Sequence, residues 1–260
     1  MRKLAPYNQE FRQFPLAIPD VGTAIVDFRD EAVFGLLNFS IGEYGADGPL
    51  ITLMSRELKP RHVLWDIGAN IGYLAQHFAR PEFQLAAVHA FEPNPAALKT
   101  LQSLFHGHAR VQVHPIGLGA VREQRQIYVY DHASPLSSIV RELPGATPVT
   151  ISVFPADSYR TQNGIPAPDV IKMDVEGFEP QVFAGMQETI RVKRSTIFFE
   201  HLLMDDETVR ELVPLGYELV FLLDDGTLTR DFAIRRRGAN GVMVPAERMA
   251  SFMSVAPLVR

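Results

Sequence analysis

The chain has 260 residues, of which 47% are hydrophobic and 21% charged, with a formal net charge of -5. That balance suits one large α/β domain rather than a disordered chain, and the acidic excess disfavours nucleic acid, whose partners carry a basic field. There is no cysteine, so structural disulfides, thiolate metal sites and cysteine nucleophiles are excluded.

Met1 to Glu10 is polar and lacks the apolar core of a signal peptide. No run of about 18 apolar residues follows, so the expectation is a cytoplasmic chain without stable membrane insertion. Met1 to Pro60 reads as a lead-in segment packed on the core, with a short strand at Ala24–Phe28. Leu50, Leu53, Met54 and Leu58 recur at helical spacing over Leu50–Leu58, and Pro60 closes that helix. The main domain then covers residues 61–260.

His62–Trp65 is a strand ending at Asp66. A glycine-rich turn, Ile67-Gly68-Ala69-Asn70-Ile71-Gly72, leads into a helix over Tyr73–Ala79. Leu85–Phe91 is the next strand, ending at Glu92, and a helix runs from Pro95 to Phe105, with Pro95 in its first turn. Val111–Ile116 is a third strand. This alternation predicts a parallel sheet with crossover helices. Residues 120–163 interrupt the rhythm as an insertion, with Gln126–Tyr130 and Val149–Phe154 pairing as a β-hairpin. The rhythm resumes with a strand at Val170–Asp174, a helix over Glu179–Thr189 and a strand at Ser195–Glu200. A short helix at Glu207–Val213 and strands at Tyr217–Leu223 and Gly241–Val244 complete the domain. Arg230, Arg235, Arg236 and Arg237 form the densest basic run, which reads as solvated surface.

Asp66 and Glu92 end neighbouring strands, so the glycine turn and the second carboxylate face one cleft. Glycines let a ligand approach the backbone, the next helix offers free N–H groups, and Glu92 has the lone pairs to accept both hydroxyl hydrogens of a ribose. The spacing is GxxxG, not the GxGxxG of a dinucleotide site or a P-loop. Asp66 suits an ammonium group, directly or through water. Asp174 ends a central strand, and Lys172, two residues earlier, shares its face; the lysine needs a carboxylate partner, whether its role is structural or catalytic. His201 and Glu200 end the next strand, and His201 is a candidate proton acceptor beside Asp174. His132, with Ser134, Ser137 and Ser138, lies in the inserted loop. Asp174, Glu176 and His201 leave a metal-assisted alternative open, without a ligand spacing that calls for a metal.

Asp66-Ile-Gly68-Ala-Asn70-Ile-Gly72 resembles motif I of the class I S-adenosylmethionine-dependent methyltransferases, and Phe91-Glu92-Pro93-Asn94-Pro95 resembles the acidic motif that follows it. Ile171-Lys172-Met173-Asp174-Val175-Glu176-Gly177-Phe178-Glu179 is similar to the FkbM family within them. The resemblance runs from Glu43-Tyr44 to Asn240 and Pro245. It implies a Rossmann-like, seven-stranded, mostly parallel sheet with an antiparallel last strand, and methyl transfer from S-adenosylmethionine to a small-molecule acceptor, typically at oxygen. It assigns Asp66, Gly68, Asn70 and Gly72 to the glycine loop, Glu92 to the ribose, and Leu118, in a loop that lacks the usual polar residue, to the adenine. Asp174, His201 and Lys172 are the catalytic candidates; no metal is expected. A non-catalytic S-adenosylmethionine-binding protein and a nicotinamide-dependent oxidoreductase are the alternatives, and the oligomeric state is not readable.

Overall fold

A computed structural model describes residues 13–129, 145–235 and 240–254. The N-terminal polar run, His132, Ser134, Ser137, Ser138, Arg236 and Arg237 lie outside the described residues. Strands β1 (Phe14–Ile18) and β2 (Gly22–Val26) pair as an antiparallel ribbon, followed by helices α1 (Ala32–Ser40) and α2 (Gly48–Glu57). Then come β3 (Val63–Ile67), α3 (Tyr73–Phe78), β4 (Ala87–Phe91), α4 (Pro95–Leu104) and β5 (Val111–His114). The insertion supplies β6 (Gly117–Leu118), β7 (Glu123–Val129), β8 (Thr147–Phe154) and α5 (Ala156–Asn163). The chain continues through β9 (Val170–Met173), α6 (Glu179–Ala184), α7 (Gln187–Lys193), β10 (Thr196–Glu200) and α8 (Asp206–Glu211). It ends with β11 (Tyr217–Leu222), β12 (Leu228–Thr229), β13 (Asn240–Pro245) and α9 (Ala246–Ser254).

The main sheet has the order β12-β11-β13-β10-β9-β3-β4-β5. Its centre is parallel, and β13 runs antiparallel to both β10 and β11. The seven expected strands and the reversed last strand are present, and the two-residue β12 adds an eighth at the edge. The inserted hairpin forms as β7 against β8, joined by β6 in a separate three-stranded sheet. The helix expected over Glu179–Thr189 is two helices, α6 and α7, broken at Gly185-Met186. Gly185 lies where a β-carbon would stand 1.9 Å from the Gly119 carbonyl oxygen, so the chain is pinned to the insertion at that point.

Side-chain alternation along the strands divides the core in two. Leu64, Val170 and Phe198 face one side with the lead-in, α3 and α4. Trp65, Ile67, Ile171, Met173, Ile197 and Phe199 face the other, with the small sheet, α6 and α7. The lead-in rests on the first side, where the Thr100 hydroxyl donates to the Ile25 carbonyl and the Ile25 amide to Ser103 Oγ.

Asp169, just before β9, fastens the two central strands. Its Oδ2 accepts the Val63 amide at 2.8 Å, and its Oδ1 pairs with Lys193 at 3.0 Å. Replacing Asp169 by Ala deprives a buried strand end of a charged acceptor. The expected loss is about 1.5–3 kcal/mol, read as a lower urea midpoint at unchanged m-value.

Candidate active site

A cleft of about 790 Å³, counting its open mouth, lies at the carboxyl ends of β3, β4 and β9. Such crevices are where open α/β sheets bind ligands. Gly68, Asn70, Glu92, Leu118 and Asp174 line it, together with Tyr73, Ile116, Ile127, Glu176 and Phe178. Asp66, Gly72, Lys172 and His201 are not in the lining.

The glycine loop is bent by positive φ angles at Gly68 (81°), Asn70 (50°) and Gly72 (93°). At Gly68 the demand is steric as well. A β-carbon there would stand 1.8 Å from the Asp174 carbonyl oxygen, so the loop and the turn after β9 touch backbone to backbone. Gly72 packs where a β-carbon would meet Leu101 Cδ1 at 2.7 Å, which makes it a seat for α4 rather than part of the cleft wall. Asp66 is only 2% exposed. Its carboxyl takes a backbone hydrogen bond from Ala75 in the first turn of α3, and burial, partly offset by Lys172, pushes it up to about 7. Asp66 thus serves α3 as a remote cap, the role Gly72 has no side chain to fill.

Glu92 is held from both sides. The Asn70 amide donates to its Oε2 at 2.8 Å and the Asn94 amide to its Oε1 at 2.7 Å. Burial raises the carboxyl to about 7 despite these two bonds. Beyond it, the loop holding Leu118 is the short strand β6, and Ile116, Leu118 and Ile127 make one apolar wall. Ile127 reaches the cleft from the inserted hairpin, a long-range placement that no local pattern announces.

At the other end, Lys172 donates to Asp174 Oδ2 at 3.0 Å. The lysine is buried and Asp174 one-third exposed, at 33% of its side chain. Burial works against the ammonium, but Asp174, Asp66 and Glu200 together hold its pKa above the ordinary lysine value. Glu200 is pushed up to about 8 by burial and by Asp174 and Glu176. Carboxylate oxygens of Asp174, Glu176 and Glu200 lie within 4.8 Å of one another. Glu179 braces the turn beneath, its Oε1 accepting the Val175 amide at 3.0 Å.

The structure does not bring His201 to Asp174. Phe198 is in register with Lys172, so Glu200, two residues on, shares the lysine's face and His201 points to the opposite one. There the imidazole is buried, and Arg235 Nη1 lies 2.8 Å from its Nδ1. Burial and the guanidinium hold His201 down at about 4. Arg235, expected on the surface, is 2% exposed and also donates to Asp206 and to the Met204 carbonyl. The pair staples the segment after β10. Alternation combined with strand register was the signal that would have chosen Glu200.

Comparison with known proteins gives a family match. Residues 66–219 match the Methyltransferase FkbM domain. The hexuronic acid methyltransferase of Haloferax volcanii is 30% identical over 192 residues, covering 72% of this chain and 76% of that protein. A crystal structure of a methyltransferase FkbM from Methylobacillus flagellatus aligns with a TM-score of 0.47 at 19% identity, covering 85% of this chain and 56% of that one. This chain thus spans little more than half of that protein. Fibrillarin of Aeropyrum pernix, solved with S-adenosylmethionine bound, aligns at 0.41 with 9% identity, covering 75% and 73% of the two chains.

The contact between Gly68 and Asp174 makes a stability prediction with an internal control. Gly107 also has a positive φ, 72°, but nothing stands within 4 Å of where its β-carbon would be. Gly107→Ala should cost only the strained backbone conformation, about 1–2 kcal/mol. Gly68→Ala adds a clash with backbone and should cost clearly more, measured by urea unfolding of both variants.

Proposed function

The chain belongs to the FkbM family of methyltransferases, and from that premise we propose which of its residues hold the methyl donor and which takes the acceptor's proton. The enzyme depends on S-adenosylmethionine and acts on a small-molecule acceptor. We read the acceptor atom as a hydroxyl oxygen on a sugar, a lipid or a secondary metabolite; the Haloferax relative, named for hexuronic acid, favours the sugar. The domain division follows the same reading: a lead-in of residues 1–60, whose described part packs on the core, and a transferase domain of residues 61–260 with its insertion at about 120–163. The cytoplasm is the compartment in which such an enzyme meets its methyl donor.

The observation that carries the assignment is Glu92, fixed by the Asn70 and Asn94 amides. Each carboxylate oxygen keeps a lone pair for a ribose hydroxyl. Gly68 and Asn70 let backbone meet the ligand, and the wall of Ile116, Leu118 and Ile127 suits the adenine. The loop is spaced GxxxG, not the GxGxxG of a dinucleotide site. When bound, the cofactor supplies an electrophilic methyl on a sulfonium.

The chain's own work is alignment and proton removal. Holding acceptor and donor together accounts for much of the rate. Asp174 lies at the cleft with Oδ2 held by Lys172, which leaves Oδ1 to accept the acceptor's hydroxyl proton. Lys172 thus acts as the positioning group for Asp174. His201 is dropped from the role, since its ring faces the far side of the sheet.

Two tests follow. Below pH 7 the empty-site Glu92 takes up a proton that ribose binding must expel. Cofactor affinity should therefore fall by up to about tenfold per pH unit below 7 and level off above it. Glu92→Gln should bind more weakly at pH 8, and its affinity should vary less with pH than that of the wild type, both followed by calorimetry. Asp174→Asn should keep cofactor affinity and lose a factor of about 100 to 10,000 in methyl transfer. The assay is single turnover with labelled cofactor on an acceptor isolated by screening small-molecule fractions. A wild-type rate in the Asn variant would dismiss Asp174 as the base.

A further inference from the structure

We propose that Tyr73, the first residue of α3, is a cofactor-binding residue whose hydroxyl donates a hydrogen bond to the α-carboxylate of the cofactor's amino-acid end. The inference rests on the assignment of the cleft to S-adenosylmethionine. Tyr73 lines that cleft together with Gly68 and Asn70. It follows directly on Gly72, where the glycine loop hands over to the helix.

The ring is held from the side of the lead-in. Phe39, near the end of α1, packs against it with centroids 5.3 Å apart, and Tyr44 meets Phe39 edge-on at 5.1 Å. The backbone around Phe39 is fixed in turn. Arg80 donates to the Phe39 and Ser40 carbonyls, and Gln76 Nε2 donates to the Leu36 carbonyl at 2.8 Å. Tyr44 Oη and His77 Nδ1 lie 2.9 Å apart. Gln76, His77 and Arg80, all from α3 and its end, thus fasten the segment against which the Tyr73 ring rests. A ring seated in this way loses little freedom when a ligand arrives, which is how preorganisation favours binding.

The hydroxyl itself is not spent inside the protein. It makes no hydrogen bond to any described residue, and it is not among the buried polar atoms cut off from solvent. Tyr217 is the contrast, with a hydroxyl that is both buried and without a partner. Burial, and after it Asp174, raise the Tyr73 phenol above its ordinary value, so it stays protonated and serves as a donor. The direction of the cofactor follows from sheet order. The apolar wall lies beyond β5, Glu92 ends β4, the glycine loop follows β3, and Asp174 follows β9. With adenine on the wall and ribose on Glu92, the amino-acid end extends toward the glycine loop, Tyr73 and Asp174. The carboxylates of Asp174 and Glu176 belong to that part of the lining. A third carboxylate, the cofactor's own, needs a donor in such company. The Tyr73 hydroxyl supplies one, as a charge-assisted bond.

The test compares three ligands by calorimetry: S-adenosylmethionine, S-adenosylhomocysteine and decarboxylated S-adenosylmethionine. The last keeps adenine, ribose, sulfonium and amine and lacks only the carboxylate. Tyr73→Phe removes one oxygen and keeps the ring that packs on Phe39. It should weaken the first two ligands roughly tenfold or more and leave the third unchanged, and the retained binding of the third also certifies the fold. Equal weakening of all three ligands, or wild-type affinity for all three, overturns the proposal. If wild type binds none of the three, the cofactor assignment itself has failed, and the proposal falls with it.

Discussion

One buried ammonium organises this site. Lys172 stands in a central strand whose other residues are apolar, with carboxyl groups from three neighbouring elements acting on it. A lone lysine so placed would be neutralised by the cost of its desolvation. Here the carboxyls keep it charged, and in return it holds them together. Asp174 gains a fixed rotamer from this arrangement. Asp66 can remain under the glycine loop, and Glu200 takes up a proton instead of repelling its neighbours. Removing the ammonium would leave its carboxyls buried without a cation, a larger cost than exchanging the whole group for apolar residues.

Around that centre, the parts of the cleft have separate mechanical origins. The Glu92 end is a carboxylate clamped by two backbone amides. The Asp174 end is an ion pair. The apolar end is a wall that includes residues of the separate small sheet, whose β6 end packs against Gly185. A change in the inserted hairpin can reshape the apolar end without disturbing the strands that carry Glu92 and Asp174. The backbone contact of Gly68 with Asp174 ties the other two ends together, so the glycine loop and the turn after β9 cannot shift independently.

Much of this was legible in the residues. Strand ends at Asp66, Glu92 and Asp174, the glycine turn and the βα rhythm all follow from local pattern, because each is encoded within a few residues. The failures share the opposite property. His201 was preferred to Glu200 because the pattern marks a strand end without saying which face each residue takes; that needs the register against β9. Arg235 looked like surface because its partners, His201, Met204 and Asp206, are about 30 positions away in sequence. The split between α6 and α7 is imposed by Gly119 across the insertion. Helix α1 carries no charged residue within its bounds, so its polar face gave no contrast to read.

The bond between the Val63 amide and Asp169 spans 106 positions of sequence, and its consequence appears during synthesis. Strand β3 and the glycine loop leave the ribosome long before β9 exists to cover them. At a translation rate of about 5–20 residues per second, β3 waits on the order of 5–20 seconds with one edge unpaired. In that interval the lead-in, α3, β4, α4 and then the inserted strands can shelter it. The lead-in, made before β3 and bolted to α3, is thus an early cover, and contacts this far apart in sequence make the remaining closure slow.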